Sequence, residues 1–97
     1  MISTQHIKVI GRVQGIGFRR WAENTATEMN LSGWVRNASD GSVEIMVKGE
    51  SENVNQFLKQ CLQGPAFSMV LGVQPVVVSQ HNTPPVQDGV FQIVASV

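Results

Sequence analysis

The stretch Gly11-Arg12-Val13-Gln14-Gly15-Ile16-Gly17-Phe18-Arg19-Arg20 restricts the folds open to this chain more than any other segment, because it joins two different hydrophobic periods through glycine. Residues 7–13 alternate like a half-buried strand, and from Phe18 onward the apolar positions recur at helical spacing. Gly15 and Gly17 therefore fall in a strand-to-helix connection, where glycine permits left-handed angles and close approach of the backbone to a ligand. The N–H groups that open a helix point one way and have no partners within it, an arrangement suited to phosphate or carboxylate. Arg19, in the first turn, opposes the helix dipole, and a bound anion between guanidinium and amides would remove that cost. Its planar fork can bind two oxygens at once.

The rest of the pattern extends this unit into a fold. Phe18, Ala22, Thr25, Ala26 and Met29 share one helical face, while Arg19, Arg20, Glu23, Asn24 and Glu28 occupy the other, and the helix ends near Asn30. Residues 31–37 and 43–49 read as strands joined by Ala38-Ser39-Asp40-Gly41-Ser42, whose Asp-Gly chemistry suits a hairpin turn. Ser51 is the expected cap of a second helix, with Glu52 in its first turn, a core-facing stripe from Val54 to Leu62, and a stop at Gly64-Pro65. Residues 71–79 then predict a strand, placed at a sheet edge by Pro75, and residues 91–95 a short final one after the Pro84-Pro85 loop.

The order strand, helix, strand, strand, helix, strand predicts an α+β domain over residues 1–97. It is the ferredoxin-like split βαβ sandwich, with two helices on one face of a four- to five-stranded antiparallel sheet. In that topology the first and second strands run the same way, with the third between them. Their carboxyl ends share an edge, so Asn37 faces the glycine loop. A lone asparagine there is also an ordinary turn former.

Two motifs give the chain a resemblance to the acylphosphatase family. Residues 11–19 are close to that family's G-x-V-Q-G-V-x-F-R, with Ile16 where valine is usual. The second motif is Gly33-Trp34-Val35-Arg36-Asn37-Ala38-Ser39-Asp40-Gly41-Ser42-Val43 with the later Gly49. Phe57-Leu58-Lys59 and, more weakly, Phe91-Gln92-Ile93 also resemble it. The resemblance implies an enzyme that hydrolyses the carboxyl–phosphate anhydride of acyl phosphates, releasing carboxylate and inorganic phosphate with no metal or cofactor. It makes Arg19 the phosphate-binding arginine and Asn37 the residue that orients the attacking water. The phosphate loop comprises Gln14, Gly15, Ile16, Gly17, Phe18 and Arg19, whose backbone N–H groups from Gly15 on cradle the phosphoryl oxygens. Gln14 is also readable as a side chain that stiffens the loop.

Other chemistries fit less well. No Gly-Lys-Ser/Thr follows the loop, and Phe18-Arg19-Arg20 stands where a dinucleotide fingerprint needs its third glycine. Seven basic residues balance seven acidic ones, so no broad field draws nucleic acid or an anionic membrane. Trp21 and Trp34, without a basic stripe, read as packing and rim residues. His6 lies far from the loop along its strand, and His81 lies far along the chain. Asp40 belongs to the hairpin turn, Glu44 is expected on an exposed strand face, and no metal-ligand spacing is visible. The single cysteine, Cys61, reads as a core thiol. With neither a basic leader nor a membrane-length apolar run, the expectation is a cytoplasmic monomer acting on a small acyl phosphate, without nucleic-acid or membrane partners. The rival reading is a ferredoxin-like module that senses a phosphorylated ligand without turnover. A domain detached from a larger carbamoyl-phosphate-hydrolysing protein should carry zinc-finger-like segments, which this sequence lacks.

Overall fold

A computed structural model describes residues 1–79 and 81–97. Its elements run β1 (Ile2–Arg12), α1 (Phe18–Glu28), β2 (Ser32–Asn37), β3 (Val43–Glu50), α2 (Ser51–Gln63), β4 (Met69–Pro75) and β5 (Phe91–Ile93). They form one five-stranded sheet in the order β4-β1-β3-β2-β5. The registers pair Ile7 and Val35 with Ile45, and Val9 with Val43, so the alternating apolar residues of three strands point to the same side. There they meet Phe18, Ala22 and Ala26 of α1 and Val54, Phe57 and Cys61 of α2, all buried in one core. Helix α1 lies over β2 and β5, and α2 over β1, β3 and β4.

The ferredoxin-like arrangement of two helices on a sheet is present, with one change to the expected pairing. Strand β5 runs parallel to β2, through Gly33↔Phe91 and Val35↔Ile93, so the sheet is mixed rather than wholly antiparallel. The connection before β5 causes this, because the chain leaves the β4 edge after Pro75 and crosses the sheet before pairing again. Strand β4 accordingly stops at Pro75, short of the expected Ser79, and Val77 and Val78 are exposed. Helix α2 begins with Ser51 inside it, and Glu50 at the cap position makes no side-chain capping bond. The Ser51 hydroxyl instead donates to the Met1 carbonyl. Leu62 is exposed, because the stripe that turns toward the sheet ends at Cys61.

Residues 81–90 of the crossing segment lie against the sheet face that the helices leave open. Trp34 Nε1 donates to the Pro84 carbonyl and Arg36 Nη1 to that of Asn82, each at 2.9 Å. Beneath it the Arg36 guanidinium stands 4.6 Å over the Trp34 ring and donates from Nε to Glu44. The His6 ring nitrogen lies 2.5 Å from the other Glu44 oxygen. Glu44 is thus buried, contrary to the exposed position expected, because residues 81–90 cover a face that alternation alone would leave to solvent.

Candidate active site

The turn after β1 carries Gly15 at φ 75° and Gly17 at φ 85°, left-handed angles that a side chain resists. Gly17 is the N-cap residue of α1, and no side chain caps the helix. The earliest main-chain bond of the helix runs from the Trp21 N–H to the Gly17 carbonyl at 3.0 Å, and the amides before it lie outside that ladder. No acidic residue occupies the first turn to offset the dipole. Arg19 follows directly and forms no ion pair with the described residues.

These groups open onto a cleft of about 240 Å³. Gly15, Gly17, Arg19 and Arg20 form one side, Val13, Phe18 and Ile93 supply apolar wall, and Asn37 closes the other side. The topology brings Asn37 there, since β1 and β2 flank β3 and run in the same direction. The Asn37 backbone is held on both sides, by pairing with Val43 and by the Val97 N–H that donates to its carbonyl at 3.0 Å. Its side-chain Oδ1 is buried and has no hydrogen-bond partner among the described residues. Arg36 Nη2, outside the cleft, is likewise without a partner, and each such atom costs about 1–3 kcal/mol.

Gln14 does not line the cleft. Its side-chain amide donates to the Ala38 and Ser42 carbonyls, each at 2.8 Å, and so ties the glycine loop to the hairpin beyond Asn37. These two bonds suit the loop-stiffening role that the sequence favours for that side chain. Ile16 is half-buried against the core and does not line the cleft. Arg20, placed by the sequence on the polar face of the first helix, also lines the cleft. Its position one residue after Arg19 was the available signal.

The remaining polar groups are engaged elsewhere. Burial raises the pKa of Glu44, but hydrogen bonds from Arg36 and His6 outweigh it and leave the carboxyl below its ordinary value. Asp40 accepts from the Ser42 hydroxyl and N–H within the turn, which likewise holds its pKa down. Burial pushes the Cys61 thiol up to about 12, which makes it inert at neutral pH. Among the described residues no three His, Cys, Asp or Glu side chains gather as a metal site, and no helix is long and apolar enough to cross a membrane.

Comparison with known proteins places the chain in a family. The acylphosphatase family profile matches residues 5–93. An acylphosphatase of Alcanivorax borkumensis is 48% identical over 69 residues, covering 71% of this chain and 75% of that protein. One from Azorhizobium caulinodans is 38% identical over 97 residues, the full length of both. The crystal structure of acylphosphatase from Bacillus subtilis superposes with a TM-score of 0.78 at 33% identity, covering 97% of this chain and 99% of that one. The chain therefore belongs to the acylphosphatase family of acyl-phosphate hydrolases.

Proposed function

We propose that this chain hydrolyses acyl phosphates without a metal, using Arg19 and Asn37 on the two sides of the cleft. The phosphoryl group sits on the backbone N–H groups of Gly15, Ile16, Gly17, Phe18 and Arg19, with the Arg19 guanidinium across two of its oxygens. Asn37 accepts a hydrogen bond from a water and holds it in line with the scissile bond. The water oxygen attacks phosphorus, the bridging O–P bond breaks, and its electron pair leaves with the carboxylate. The water proton passes to a phosphoryl oxygen of the substrate. Phosphoryl transfer needs mainly positioning and stabilisation of spread negative charge, and a carboxylate is a good leaving group that needs no general acid. The site supplies those two things and little else.

The observation that carries this reading is the Asn37 carboxamide lining the same cleft as an uncapped helix start and Arg19. A sensor of phosphorylated ligands needs the cradle but not that acceptor. The test is hydrolysis of benzoyl phosphate by the purified protein in excess EDTA. Turnover that EDTA leaves unchanged is expected. Phosphate binding with no turnover of any acyl phosphate would instead identify a sensor.

A further inference from the structure

Arg20 stands in the same cleft and has no part in the cradle. It is 74% exposed, and among the described residues its ionic contact is a Glu23 carboxylate at 3.6 Å, longer than a hydrogen bond. Successive helical residues project about 100° apart, so Arg20 enters the cleft from a different direction than the half-buried Arg19. The two guanidiniums do not compete for one pair of oxygens. No carboxylate lines the cleft, whose other walls are glycine, apolar side chains and Asn37. The cleft thus offers an exposed cation beyond what the cradled phosphoryl group uses.

We infer that Arg20 selects acyl phosphates whose acyl group itself bears an anionic substituent, which it pairs with at the cleft mouth. The inference rests on the acyl-phosphate reading of the site. A bulky neutral acyl group gains nothing from Arg20, whereas a second negative charge gains an exposed ion pair, the size of effect that salt erodes.

The test compares 4-carboxybenzoyl phosphate with benzoyl phosphate, because the rigid para carboxylate cannot reach back to attack its own anhydride. The readout is the ratio of kcat/KM for the two substrates in wild type, Arg20→Gln and Arg20→Lys. Arg20→Gln should lower the ratio about threefold through KM for the anionic substrate, and Arg20→Lys should keep most of it. Added NaCl should bring the wild-type ratio toward that of Arg20→Gln. An unchanged ratio in Arg20→Gln, or equal loss in the Gln and Lys variants, overturns the inference while leaving the hydrolase reading intact. Failure of wild type to turn over benzoyl phosphate overturns both.

Discussion

Arg19 sits in the first turn of a helix with no acidic residue there and no ion pair of its own among the described residues, an arrangement that is unfavourable until an anion arrives. Replacing it should therefore damage binding and turnover together. Arg19→Ala is expected to lower kcat/KM for an acyl phosphate by roughly 10²-fold or more, by analogy with losing one preorganised donor to a charged transition state. It should also weaken competitive inhibition by inorganic phosphate, which steady-state assays would register. Both residues of the proposed chemistry were legible because a motif marks each of them, and topology alone put Asn37 opposite the loop. Glu44 was misjudged for the opposite reason. Its alternation is that of an exposed residue, and nothing local reveals that residues 81–90 cover it or that Arg36 and His6 meet it there.

The glycine loop and the β2–β3 hairpin act as one unit because Gln14 donates twice across the gap between them. Gln14→Ala removes two hydrogen bonds and should destabilise the fold by about 2 kcal/mol, measured by urea unfolding. It should also lower kcat, since the cradle loses its fixed distance to Asn37. Gly17→Ala tests the loop from another side. A Cβ there would meet no atom within 4 Å, so the strain comes from the φ of 85° alone, at roughly 1–2 kcal/mol. A larger loss of activity than of stability would mark the loop's backbone shape as functional. The strands around this unit were readable from period and turn residues. The parallel pairing of β5 was not, because a three-residue strand carries no directional signal of its own.

The sheet as a whole has two covered faces of different chemistry, an apolar one under the helices and a polar one under residues 81–90. The polar face should give the molecule its acid sensitivity. The folded pKa of Glu44 is depressed below its ordinary 4.5, so its contribution is complete above that value and is lost as pH falls through the folded value. Glu44→Gln is expected to cost roughly 3 kcal/mol at pH 7, as for breaking a buried ion pair, and to flatten the dependence of stability on acid. Denaturant titrations between neutral pH and pH 3 would measure both. At the sheet edge, β4 carries no charged residue, and Met69 and Leu71 are exposed, as the scarcity of charge in the last third of the sequence implies. That edge is the place where self-association at high concentration should begin.

The account depends on Asn37 acting on water rather than on the phosphate itself, and Asn37→Ala separates the two. Its kcat for benzoyl phosphate in EDTA should fall roughly 10²-fold or more, while the inhibition constant for inorganic phosphate stays near that of wild type. A variant that turns over at the wild-type rate would contradict the account at its centre.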